Sequence, residues 1–218
     1  LNSGSQAAVR RKAPWFYALS GFTAPTTRNR WGLDRQNFVS VWHEGVGLII
    51  GGGNSKGQSE WSNFIFPRPG RLAYIPNSGE VRENHLVLSY EDKKASLEVS
   101  PESKSELKIK AALLDPASAA TGQLLLHLKA GTTCKTAAGG VLSLSDRSIE
   151  IRAEDAGGWV EFEGWRINLP AGSKINFPSY PFDPEQRDTR ALLSQARGIL
   201  SYPLNSTVPK TEFTITVL

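Results

Sequence analysis

The fold class is decided by Glu106–Leu113, which reads ELKIKAAL. Its odd-numbered residues are apolar, and the charged side chains of Lys108 and Lys110 fall between them. Successive side chains of a β-strand point to opposite faces of the sheet, so this segment buries one face and exposes the other. One-sided burial of this kind is typical of an antiparallel sheet that packs one face on a core and keeps the other in water.

Four more segments along the chain show the same alternation. They are Leu86–Tyr90, Lys94–Ser100, Ser148–Arg152 and Thr211–Leu218. Clusters of turn-forming residues separate the strand patterns at a spacing of roughly 8–12 residues, as in β-sandwiches. About fourteen strands or more would exceed the seven to nine of an immunoglobulin-like sandwich. The sequence therefore predicts an all-β fold, a large supersandwich-like pair of antiparallel sheets with at most one or two short helices.

A break in strand register is predicted at Gly164. Val160 and Phe162 share one parity before it. Trp165 and Ile167 share the other parity after it. A slip of one residue turns every side chain to the opposite face, so a bulge or tight turn at Gly164 is needed to keep all four apolar side chains inward.

One helix is predicted to begin near Asp183. The Asp183 side chain can cap the N-terminus, and Pro184 and Glu185 suit the first turn. Gly198 can end the helix. An ordered loop across a sheet edge is an equal alternative for this segment.

Composition excludes several classes of protein. The chain of 218 residues is 39% hydrophobic and 21% charged, so it can bury a core. Its net charge of +4 is too small and too dispersed to indicate nucleic-acid binding. No stretch approaches the roughly 20 apolar residues that span a bilayer. A single cysteine excludes a disulfide framework and a cysteine-based zinc site, and no motif indicates a metal or a cofactor.

The domain boundaries are predicted from the ends of the strand patterns. Residues 1–12 are predicted to be a linker or a disordered tail, and residues 13–218 a single β-sandwich domain. Two small sandwiches would also hold the strands, but no linker marks a boundary between them. The chain contains no methionine, which suggests a piece of a longer protein.

The most unusual stretch of sequence is the Gly-rich segment that begins at Gly51-Gly52-Gly53. It lacks the spacing of a phosphate-binding loop, so the glycines are interpreted as conformational. The polar and aromatic side chains that follow it suit an acidic sugar, because an indole stacks on a sugar ring and Arg can bind a carboxylate bidentately. The predicted ligand-binding residues are Asn54, Lys56, Gln58, Glu60 and Trp61, joined by Arg28, Arg30 and Trp31. The alternative is a loop whose polar residues merely face water.

His43 and Glu44 are a candidate acid–base pair. Adjacent residues on a strand point to opposite faces, so the two cannot readily act on one atom. A histidine that hydrogen-bonds locally at the end of a strand is therefore the favoured interpretation. Trp42 is interpreted as core or edge packing, together with Trp159 and Trp165.

Three stretches of the chain share their order with a known family. The first is Val39–Phe64, with WHEGVG between two strands and GGGNSK in the loop. The second is the succession of strands within Leu72–Leu169, and the third is FPSYPFDP at Phe177–Pro184 followed by RGIL at Arg197–Leu200. In this order they resemble the C-terminal β-sandwich region of heparinase II/III-like polysaccharide lyases.

The resemblance implies a large sandwich that in such lyases follows an α-helical toroid carrying most of the catalytic residues. This chain has no pattern of amphipathic helices that would form a toroid. No catalytic residue is therefore carried over, and an upstream helical domain of the same protein is an expected partner. The resemblance also implies a bacterial protein that is periplasmic or secreted.

Three functions follow as hypotheses. The first is a non-catalytic sandwich module of a carbohydrate-active protein that binds an acidic polysaccharide. The second is a lyase or hydrolase acting at the Gly-rich segment through His43, Glu44 and Glu60, with basic side chains such as Lys56 neutralising a uronate carboxylate. The third is a structural or protein-interaction domain, which a broad apolar surface patch would favour.

Overall fold

A computed structural model describes residues 7–23, 37–53, 55–115, 117–183 and 191–218. Within these ranges nineteen strands form two antiparallel sheets, one of ten strands and one of nine. The prediction of an all-β fold with two large antiparallel sheets is confirmed. The core lies between the sheets, because the inward-facing residues of both form one continuous cluster of buried apolar side chains.

The first sheet has the spatial order β1-β2-β3-β4-β11-β18-β17-β14, and β5 pairs with β11 and with β6. Its strands are β1 Ala7–Lys12, β2 Trp15–Ser20, β3 Val39–His43, β4 Gly47–Ile50, β5 Phe64–Arg68, β6 Arg71–Ala73, β11 Ala120–Leu126, β14 Ile149–Arg152, β17 Lys174–Ser179 and β18 Arg197–Leu204.

The second sheet has the order β13-β12-β15-β16-β19-β10-β9-β8-β7. Its strands are β7 Ser78–Arg82, β8 His85–Tyr90, β9 Lys93–Pro101, β10 Glu106–Leu113, β12 Thr133–Thr136, β13 Val141–Ser143, β15 Trp159–Phe162, β16 Trp165–Asn168 and β19 Lys210–Val217.

Helical structure in the described ranges is limited to short turns. The α-helix α1 covers Ala153–Ala156, and two 3₁₀ helices cover Ser59–Trp61 and Leu193–Gln195. None of these is long and apolar enough to cross a bilayer, a finding that applies to the described residues.

The first and last residues of β10, the strand with the clearest alternation, were predicted correctly. β10 covers Glu106–Leu113, and its odd-numbered side chains are buried while Lys110 is exposed. Its central position explains the clean pattern, because it pairs with β9 on one side and with β19 on the other.

The predicted break at Gly164 is confirmed as a tight hairpin turn between β15 and β16. Phe162 pairs with Trp165, and Gly164 has a φ of 80°. Val160, Phe162, Trp165 and Ile167 are all buried. A left-handed glycine in the turn therefore keeps both apolar faces directed at the core.

The predicted helix near Asp183 does not continue to Gly198. Part of it falls on residues 184–190, which lie outside the described ranges. From Ala191 the chain makes a single 3₁₀ turn and then enters β18, which contains Gly198. A Cβ on Gly198 would lie 2.6 Å from Cδ1 of Leu128, so glycine is needed here for close strand packing and not to end a helix.

The predicted N-terminal boundary also needs correction. Residues 7–12 were assigned to a linker or tail, but they form β1, which pairs with β2 along its whole length. The burial pattern explains the error, since of these six residues only Ala8 is buried. An edge strand that is exposed on both faces and rich in basic residues has little hydrophobic alternation to reveal it.

The two sheets are joined at one end by side-chain hydrogen bonds to the hairpin between β9 and β10. Three side chains of the first sheet donate to backbone carbonyl oxygens of this hairpin. The pairs are Lys12 Nζ to Pro101 at 2.7 Å, Trp15 Nε1 to Ser103 at 2.9 Å, and His43 Nε2 to Lys104 at 3.0 Å.

Candidate functional site

The Gly-rich loop, of which the structure describes residues 51–53 and 55–63, lies on the outward face of the first sheet. The backbone N–H of Gly51 donates to the carbonyl of Leu125 in β11 at 2.8 Å. A Cβ on Gly53 would lie 2.4 Å from Cζ3 of Trp61. The glycines therefore let the backbone approach the sheet and its own tryptophan closely, which agrees with their interpretation as conformational.

Trp61 is the anchor of this loop. It is 1% exposed and forms a small second apolar cluster with Leu125 and Ile199. Its Nε1 donates to the hydroxyl of Ser179 at 3.1 Å. The indole face is consequently not open to a sugar ring, and the stacking role predicted for Trp61 has no surface to act on.

The polar residues of the loop make contacts with the segment after β17. Gln58 Nε2 donates to the carbonyl of Tyr180 at 3.1 Å and to Glu60 Oε1 at 3.3 Å. Ser55 Oγ donates to Gln58 Oε1 and accepts the backbone N–H of Phe182 at 2.7 Å. These bonds fasten the loop to the sandwich, and Lys56, Gln58 and Glu60 remain half-buried around it. The predicted residues Arg28, Arg30, Trp31 and Asn54 lie outside the described residues.

His43 makes the local contacts expected of a strand-end histidine. Its Nδ1 accepts the backbone N–H of Gly45 at 3.0 Å, so the proton of the neutral ring lies on Nε2 and is donated to Lys104. The ring is buried against Trp15. Glu44 instead pairs with Arg11 at 3.2 Å on the surface. The candidate acid–base pair is thus divided between the core and the solvent.

An aromatic patch occupies the outward face of the first sheet near its β1 edge, and we define it as Phe16, Trp42 and Leu48. The three side chains lie in one cross-strand row, because Phe16 pairs with Trp42 and Trp42 with Leu48. With Ser40 they line a shallow groove of about 460 Å³. Phe16 is 39% exposed and Trp42 is 37% exposed. The two exposed rings are therefore direct neighbours on a surface that a ligand could reach.

Of the two interpretations of Trp42, core packing is therefore wrong. In β3 the side chains of Val39, Val41 and His43 are buried, and Trp42 lies between two of them. Strict alternation along this strand is the signal that could have placed the indole outward. The prior that tryptophans are buried outweighed it.

Basic side chains flank the aromatic patch. Arg11 pairs directly with Phe16 across the strands, so it lies in the same row. At the other end, Leu48 also borders a cavity of about 190 Å³ that is lined by His127 and Lys129. Arg197 lies beside His127 and donates to the carbonyl of Gly52 at 2.8 and 3.1 Å. The patch is thus an apolar strip with basic side chains at both ends, of which Arg11 is paired with Glu44.

The surroundings of His127 disfavour its protonated form. Burial and the positive charges of Arg197 and Lys129 lower its pKa below the ordinary value. Its Nδ1 is buried without a hydrogen-bond partner, and it faces Gly52, where a Cβ would come within 3.4 Å.

In the parts of the chain that the structure describes, no group of three or more His, Cys, Asp or Glu side chains is placed to hold a metal ion. Comparison with known proteins finds no protein-family model that matches the chain and no matching curated protein. The function therefore has to be argued from the surface chemistry.

Proposed function

We propose that this chain is a non-catalytic β-sandwich module of a carbohydrate-active, polysaccharide lyase-like protein, and that it binds an acidic polysaccharide through the aromatic patch. The observation that carries the proposal is the exposed pair of Phe16 and Trp42 on the outward face of the first sheet. Export from a bacterial cell, to the periplasm or beyond, and an upstream helical domain belong to the same proposal.

Stacking explains why a sugar would bind here. A pyranose ring presents a face of C–H groups. When this face packs on an exposed aromatic ring, apolar surface of both is removed from contact with water. Phe16 and Trp42 are fixed by neighbouring strands, so little conformational entropy is lost when a chain of sugars lies across them. Ser40 offers a hydroxyl beside the rings.

Charge explains why the sugar would be acidic. Arg11 stands in the row of the patch, and Lys129 lines the adjoining cavity. The chain as a whole has a net charge of +4. A polyanion lying across the patch would meet Lys129 at one end and compete with Glu44 for Arg11 at the other, and both attractions would weaken with salt.

Affinity electrophoresis in gels containing polygalacturonate, alginate or heparin tests this function. We expect retardation by at least one of them, and we expect Trp42→Ala to lower the affinity about tenfold, the loss of roughly 1.4 kcal/mol. Trp159→Ala is the matched control, because Trp159 lies in the second sheet, under the guanidinium of Arg166. The proposal would be refuted if no polysaccharide changed the mobility of the wild type. It would also be refuted if the two variants lost affinity equally.

A second candidate function is protein docking, and Val9 is the observation that favours it. Val9 is 58% exposed in β1, next to the strand that carries Phe16. An apolar surface that continues onto an edge strand is typical of a protein interface. If Val9→Ser and Trp42→Ala both abolish binding to another domain of the same protein while no polysaccharide retards the wild type, docking is the function.

A further inference from the structure

A groove crosses the outward face of the second sheet, on the opposite side of the molecule from the aromatic patch. It has a volume of about 460 Å³, within the range of small-molecule sites. It runs over β8, β9, β10 and β19, which pair continuously in this order. We call it the cross-strand groove.

The groove exists because a row of small side chains lies next to a row of long ones. Ser96 and Ala112 pair directly across β9 and β10 and form the floor. The neighbouring row forms one wall. From β8 to β19 it consists of His85, Glu98, Lys110 and Glu212. Leu114 stands on the other side of the floor.

Ser96 is the feature that points to a ligand. It is only 4% exposed, yet it lies on the outward side of β9, since Ala95 and Leu97 on either side of it enter the core. Its side chain lines the groove, and its hydroxyl places a hydrogen-bond donor and acceptor at the floor. A ligand hydroxyl in the groove would pair with this hydroxyl.

The charges of the wall determine the chemistry of that ligand. Lys110 and Lys210 are balanced by Glu98 and Glu212, so the lining has no formal net charge. Lys110 Nζ lies 4.0 Å from Glu98 Oε1. A charged ligand would be attracted by the side chains of opposite charge and repelled by those of like charge. A neutral ligand rich in hydroxyl groups could donate to the carboxylates and accept from the ammonium groups.

The apolar part of the lining fits the same ligand. The methyl group of Ala112 and the side chain of Leu114 border the groove beside these polar groups. A sugar ring combines C–H faces with hydroxyls in this way. We propose that the cross-strand groove is a second binding site, and that it takes one neutral sugar unit independently of the aromatic patch.

Titration of backbone amides by NMR, with glucose, galactose, mannose and xylose as probes, tests the groove. We expect saturable shifts in β9 and β10 with at least one of these sugars. Ser96→Leu fills the floor and should weaken binding about tenfold or more. Ser100→Leu is the matched control, because Ser100 lies on the outward side of the same strand but outside the groove. This variant should leave the affinity unchanged.

Two further variants keep the test decisive. Ser96→Ala removes only the hydroxyl and should lower the affinity several-fold even if Ser96→Leu does not fold. Trp42→Ala should leave the titration unchanged, because the two sites lie on opposite sheets. No saturable shift with any of the four sugars, or equal losses for Ser96→Leu and Ser100→Leu, would overturn the second site. Shifts confined to Phe16 and Trp42 would also overturn it while agreeing with the proposed function.

Discussion

The two outward faces of this sandwich differ in what they leave open to solvent. The first sheet presents aromatic rings near its β1 edge, and the Gly-rich loop packs over Leu125 and Ile199 near its middle. The second sheet presents alternating charges, such as Glu98 beside Lys110 and Lys110 beside Glu212 in register. Paired charges of this kind keep a surface hydrated, and here they also form one wall of the cross-strand groove. Exposed aromatic rings that do not contribute to the core are typical of a surface that binds a ligand or a partner.

Two tryptophans of the first sheet make the comparison concrete. Trp61 and Trp42 both lie on the outward side, but Trp61, which belongs to the Gly-rich loop, is buried against Leu125 and Ile199. Trp42 has a shallow groove instead. The same side chain therefore serves stability at one position and remains available for binding at the other.

The largest effect that tests this comparison is expected from Trp61→Ala. Removing a fully buried aromatic side chain should lower the free energy of unfolding by about 3–5 kcal/mol. Trp42→Ala should change it by about 1 kcal/mol or less, because the indole is 37% exposed. Urea denaturation of both variants measures the difference. Similar losses for the two would mean that the faces do not differ in this way.

Gly53→Ala should have the next largest effect. The new methyl group would lie 2.4 Å from Trp61 and 3.1 Å from Leu125, so the loop or the ring would have to move. We expect a loss of about 1–3 kcal/mol. Gly45→Ala is the matched control, since its nearest neighbour would be at 3.4 Å. An equally large loss in the control would show that close packing under the loop is not the cause.

The smallest effect is expected from Glu98→Gln on the second sheet. Glu98 and Lys110 lie 4.0 Å apart and both remain accessible to water. The variant should change the free energy of unfolding by about 0.5 kcal/mol or less, and added salt should not enlarge the difference. A loss above about 2 kcal/mol in the same denaturation assay would mean that the charged row is a structural network.

The sequence predicted the parts of the fold that depend on local alternation. β10 was found to its exact ends, and the turn at Gly164 followed from the parity of four apolar residues. β1 was missed because it contributes almost nothing to the core, although it completes the edge of the first sheet. Hydrophobic periodicity detects burial and not pairing.

The candidate site was harder to predict because it depends on contacts between distant residues. Whether Trp61 is buried depends on Leu125 and Ile199, which lie far along the chain. One local signal existed: the apolar run Leu124–Leu126 is typical of a strand covered on both faces. Trp42 carried a second signal in the alternation of β3. The cross-strand groove had none, because a groove arises from side-chain sizes on several strands at once.

The position of β19 has a consequence for how the chain folds. β19 lies inside the second sheet, between β16 and β10, although the ribosome makes it after every other strand described here. Ile109 of β10 must find Phe213, about one hundred residues later in the chain. Such non-local pairing slows folding. Until β19 arrives, β10 and β16 are open edges, so a nascent chain stalled before Lys210 would be a substrate for chaperones and prone to aggregate.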